Sequence, residues 1–132
     1  MLRRGNLSPA IDRLRQLTKS SRVRLIRIDA RNVIVQTALS GGRTRLAQAN
    51  WKGEASVLST SPGGGGTSFS WSQINLSAPN RVVRAATRGR RPSTFDYIVL
   101  IDAAGLRWSA FLKNNRGTFQ ANLDGTGVRK IV

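Results

Sequence analysis

Apolar residues recur along this chain at two periods, and the two periods follow one another in the same order twice. Ile11, Leu14 and Leu17 stand at helical spacing and predict one buried stripe. Ser8 reads as the N-cap of that helix and Pro9 as its first residue, where a missing N–H costs nothing. Arg13 and Arg15 fall off the stripe. Four strands are predicted next, at 22–29, 32–38, 43–51 and 54–59, with turns at 30–31 and 41–42. The succession then returns. Ser77 reads as a cap, Pro79 sits in the first turn, and Val82, Val83, Ala85 and Ala86 form an apolar face. Strands are predicted at 95–102, 106–112, 118–123 and 128–132, joined by turns short enough for antiparallel hairpins. Residues 95–102 are nearly all apolar, which predicts a central strand covered on both faces, with Tyr97 in the core and its hydroxyl at an edge. Leu106, Trp108, Ala110 and Leu112 alternate with Arg107, Ser109 and Lys113, the mark of a half-buried strand. Phe111 is the exception to that alternation.

The two halves also match in letters. Residues 25–30 (LIRIDA) parallel 98–103 (IVLIDA), 73 positions on, and 48–53 (QANWKG) parallel 120–125 (QANLDG), 72 positions on. The expected fold is therefore α+β, with two repeated units at 7–60 and 76–132 in one compact domain. Each unit is one helix followed by a three- to four-stranded antiparallel meander, with the helices packed on one side of the sheet and the other side open. Residues 61–75 form a Gly-rich linker and a short strand bearing Phe69 and Trp71 on one face. The four glycines at 63–66 could suggest a phosphate loop. That motif needs Lys followed by Ser or Thr after its last glycine, and neither is present.

The closing stretch 119–128 (FQANLDGTGV) resembles the end of a PepSY-type domain, in which an alternating strand leads through an Asp turn to Thr-Gly-x-Val. The tandem of helix-plus-meander units is similar to the architecture of the β-lactamase inhibitor proteins. The first unit departs from the pattern, with Trp51-Lys52-Gly53 in place of Leu-Asp-Gly, and the disulfides usual in the inhibitors have no cysteines here. The resemblance implies a non-enzymatic module of the cell envelope that contacts protein or peptide. It carries over no catalytic residue.

Composition narrows the chemistry mainly by exclusion. The 132 residues include no cysteine and no histidine, which removes disulfides, thiolate nucleophiles, the usual general base and the commonest metal ligand. No serine stands in a Ser-x-x-Lys pattern. Asp29 and Asp102 are related by the repeat but each closes a strand before a turn, where aspartate bonds local backbone. No catalysis, cofactor or metal site is expected. Charge is the strongest signal. Twenty-two basic residues oppose six acidic ones, for a net +16, and such an excess favours anionic partners. Arg81, Arg84 and Arg88 fall on one helix face, with Arg90 and Arg91 close behind, and are the candidate anion or nucleic-acid contacts. Trp51, beside a turn, and Trp71, after the glycines, are the candidate protein contacts. Two partner classes stay open: another protein, acidic in character, or nucleic acid. No stretch reaches the ~18 consecutive apolar residues of a membrane span. The opening residues read as a solvated lead-in and the last four as part of a strand, so a domain of a longer protein is expected, with a stand-alone protein as the alternative. The first belongs to the cell envelope or exterior, the second to the cytoplasm.

Overall fold

The computed structural model describes residues 1–63 and 66–132, so the expected glycine loop falls partly outside the described residues. Helix α1 (Arg4–Thr18) leads into strands β1 (Arg22–Ile28), β2 (Asn32–Ala38), β3 (Thr44–Asn50) and β4 (Ala55–Ser61). A two-residue strand, β5 (Phe69–Ser70), and a 3-10 turn precede helix α2 (Ala78–Ala86). Strands β6 (Phe95–Asp102), β7 (Leu106–Leu112), β8 (Thr118–Ala121) and β9 (Arg129–Lys130) complete the chain. All pairings are antiparallel. The sheet runs β4-β3-β2-β1-β6-β7-β8-β9, with β5 beside β1. The protein is α+β, with two helices on one large antiparallel sheet among the described residues.

Helix α1 begins earlier than Ser8 and Pro9 suggest. Its N-cap is Arg3, and Pro9 lies inside the helix. Burial explains the extension. Leu7 is 0% exposed and forms one stripe with Ala10, Ile11 and Leu14. Removing a leucine of this size from water is worth roughly 1.5–3 kcal/mol, against the lost hydrogen bond at an interior proline. Helix α2 keeps its predicted position, with proline in the first turn. Ser77 occupies the cap position without a capping bond, and its hydroxyl instead accepts from Arg4 Nη1 at 3.3 Å.

The sheet is centred on the pair β1–β6. Leu25 pairs with Ile101, Ile26 with Leu100, Arg27 with Val99, and Ile28 with Ile98. Buried positions then follow the registers outward on one face: Ile26, Ile28, Val33, Val35, Ala47 and Ala49 on one side, Ile98, Leu100, Trp108, Ala110 and Ala121 on the other. They join the buried stripes of both helices in one core. Strand β6 is central but not covered on both faces, contrary to its apolar sequence. Its burial alternates, because both helices lie on the same side and leave Tyr97, Val99 and Ile101 on the other. Tyr97 is accordingly half-buried on the uncovered face rather than in the core.

Two hairpin turns share one construction. At 50–53, Gly53 N–H donates to the Asn50 carbonyl at 3.1 Å and Asn50 N–H to Glu54 O at 2.9 Å. At 122–125, Gly125 N–H donates to Asn122 O at 2.9 Å and Asn122 N–H to Thr126 O at 2.9 Å. The closing glycines have φ of 84° and 85°, the left-handed region that suits glycine.

Candidate functional site

The uncovered sheet face is the most distinctive surface of the protein. Strand registers lay out one complete row across it: Ser56, Gln48, Ile34, Arg27, Val99, Ser109, Gln120 and Arg129. A second row carries Ser59, Leu46, Gln36, Leu25, Ile101 and Arg107. Neither row contains a carboxylate. Arg27, Arg107 and Arg129 are exposed, so the face combines a half-buried apolar strip with exposed cations.

An aromatic stack stands on this face. The Tyr97 and Phe111 rings lie 4.6 Å apart at an interplanar angle of 20°. The Arg27 guanidinium is 4.1 Å from the Tyr97 centroid. Phe111 breaks the alternation of β7 because it belongs to this stack. That break, and apolar residues in the exposed phase of β6, were the sequence signals for the face. Arg27, Tyr97, Phe111, Arg107 and Arg129 were not among the expected site residues. At its far end Arg107, Arg129, Gln120, Asn122 and Gly127 enclose a polar pocket of about 190 Å³ with Ala121. Two guanidiniums and two amides there offer donors suited to a carboxylate or other oxyanion.

The predicted contacts divide. Trp51 is 57% exposed and lies beside the Lys52 ammonium, 5.6 Å from the ring centroid. Exposed Val57 and Leu58 on β4, the terminal strand of the sheet, extend the apolar character of that end. Trp71 is 5% exposed, and its Nε1–H donates to the Ser20 carbonyl at 2.6 Å. It is a core residue, and its burial removes it from the surface where a protein contact was expected. Trp71 directly follows β5, whose Phe69 pairs with Val23 of β1.

The five predicted arginines are all exposed. Arg81, Arg84 and Arg88 line one groove with Ser77, Asn80 and Ala85. Arg81 Nη1 donates to the Asp124 carbonyl and Arg90 Nη1 to the Arg116 carbonyl at 2.8 Å. Arg91 meets Lys113 and Arg116 at a separate pocket. The basic residues thus occupy both the helix side and the uncovered side of the sheet.

Two of the carboxylates, Asp29 and Asp124, are engaged by their own turns. Asp29 accepts from the N–H groups of Arg31 and Asn32, at 2.8 and 2.7 Å. Asp124 accepts from the hydroxyl and N–H of Thr126, at 2.6 and 3.0 Å. These bonds, the hydroxyl foremost, hold the Asp124 carboxyl below its ordinary pKa, with a smaller contribution from the Arg81 charge. The Asp turn is thereby a packing device: Trp108 Nε1–H donates to Leu123 O at 2.9 Å beside it. Among the described residues no group of three or more His, Cys, Asp or Glu side chains could hold a metal, and no helix is long and apolar enough to cross a membrane. No protein-family model matches the chain, and no curated protein or solved structure compared with it is similar.

Proposed function

We propose that this chain is a non-enzymatic binding module that engages an acidic protein or peptide across the uncovered face of its sheet. The observation that carries the reading is the absence of any carboxylate from the two rows that cross that face, while Arg27, Arg107 and Arg129 stand on it around an aromatic and aliphatic strip. Arginine and aromatic residues set in apolar surroundings are the usual energetic centres of protein interfaces.

Two further parts of the reading concern its origin. Residues 7–60 and 76–132 are taken as copies of one helix-plus-meander unit, related by a twofold axis through the β1–β6 pair. In support, positions 73 apart exchange places in the register, Leu25 opposite Ile101 and Ile28 opposite Ile98, and the turns at 50–53 and 122–125 share their hydrogen bonds. On this reading the chain is PepSY-like in architecture and works at the cell envelope.

Nucleic-acid binding is the second reading, favoured by the cations gathered along α2 and the following loop, Arg81, Arg84, Arg88, Arg90 and Arg91. One experiment separates the two. Glutamate-rich peptides containing aromatic residues and a single-stranded oligonucleotide are titrated against the protein over a salt series. The combined R27Q, R107Q and R129Q variant is expected to lose peptide binding by tenfold or more. If the oligonucleotide binds tighter, with steep loss in salt, and an R81Q, R84Q, R88Q variant abolishes it, the acidic-protein reading is wrong.

A further inference from the structure

We propose that a pocket where the chain enters β6 and leaves β7 is an oxyanion site that takes a phosphate group. The pocket measures about 310 Å³ and is lined by Arg91, Ser93, Thr94, Lys113, Asn114 and Arg116. Its cations come from two segments, one entering β6 and one leaving β7. Pairing of Phe95 with Leu112 brings those segments side by side. No carboxylate lines it, and Asp96, close in sequence, is exposed outside it.

Three side-chain cations at one concavity repel each other unless an anion joins them. A carboxylate offers a single charge. A phosphate monoester carries about −1.5 to −2 at neutral pH with three acceptor oxygens, which matches two guanidinium forks, one ammonium and the Ser93 hydroxyl.

The segments are held ready. Arg90 Nη1 bridges them by donating to the Arg116 carbonyl at 2.8 Å. Leu112 N–H donates to Gly117 O at 3.0 Å and Thr94 Oγ1 to Arg91 O at 2.7 Å. Asn114 and Asn115 hold φ of 58° and 55°, a left-handed conformation that costs energy for residues other than glycine, though asparagine tolerates it best. The result keeps Lys113 and Arg116 on one side of a short turn rather than spread along a strand.

The test uses the full chain and inorganic phosphate or pyrophosphate against a chloride background, followed by amide chemical shifts. Saturable shifts confined to residues 91–94 and 113–117 are expected. K113Q/R116Q is expected to weaken binding at least tenfold. R13Q/R15Q removes the same charge from exposed positions on α1 and is expected to leave it unchanged. Neither substitution at 116 nor at 113 touches the backbone carbonyl that Arg90 binds, and thermal melting in phosphate-free buffer checks that each variant is folded. Shifts scattered over the other arginines, or an equal loss in R13Q/R15Q, would overturn the site in favour of general attraction to a basic protein. Repeating the titration with a short single-stranded oligonucleotide identifies the source. A tenfold loss in K113Q/R116Q there points to backbone phosphate, and an effect confined to free phosphate points to a small phosphorylated ligand.

Discussion

Arg27 and Tyr97 meet across the middle of the sheet, the guanidinium 4.1 Å from the ring centroid, on the side that no helix covers. The pair ties β1 to β6, where the two halves of the chain join. A cation over an aromatic ring at a partly exposed site contributes about 0.5–1 kcal/mol. A double-mutant cycle of Arg27→Met and Tyr97→Leu in urea should return a coupling of about that size. A coupling of zero would mean the stack is arranged for a partner rather than for the fold.

The three tryptophans should separate in fluorescence. Trp51 is exposed, while Trp71 and Trp108 are buried and donate to backbone carbonyls. Trp51→Phe is expected to remove most emission quenchable by acrylamide and to change stability by no more than about 0.5 kcal/mol. Trp71→Ala is expected to cost about 3–5 kcal/mol, as for other large buried aromatics. Persistent quenching in the Trp51 variant would contradict this assignment.

Glycine at the two similar turns should be needed to different degrees. A Cβ at Gly53 would meet nothing within 4 Å, whereas at Gly125 it would lie 3.0 Å from the Ala78 backbone. Both substitutions carry the left-handed backbone cost, of order 1–3 kcal/mol. Gly125→Ala must also push the turn away from the start of α2. Thermal melts should therefore place Gly125→Ala clearly below Gly53→Ala. Equal melts would show that the close approach to Ala78 is easily relaxed.

Asp124 should contribute stability at neutral pH that is lost in acid. Its carboxyl is held below the ordinary aspartate value, chiefly by the Thr126 hydroxyl. A depressed folded-state pKa contributes stability that is present above the unfolded value and is lost as pH falls through the folded one. Thr126→Val should raise the Asp124 pKa measured by NMR titration and flatten the acid limb of the stability curve. At neutral pH its melting temperature should fall only slightly, because the group is at the surface. An unmoved Asp124 titration would shift the cause to the backbone N–H of Thr126.

Much of the fold was legible from local pattern. Strands at 32–38, 95–102 and 106–112 coincide with β2, β6 and β7, because alternation and β-branched content act through neighbours along the chain. The position of α2 was legible from Pro79 and its apolar face. The charge excess and the lack of histidine and cysteine follow from composition alone. What pattern could not decide is where faces turn. Pro9 lies inside α1 because Leu7 is buried against the sheet, a long-range gain that outweighs a local breaker. Trp71 is a core residue whose indole N–H is bonded to the Ser20 carbonyl, 51 positions away, and Tyr97 stands on the open face because both helices cover the other. Arg91, Lys113 and Arg116 flank one hairpin, β6–β7, so their proximity follows from a local turn. Arg27 reaches Tyr97 and Phe111 only because β1 pairs with β6, a strand order and register that tertiary packing selects and no local window contains.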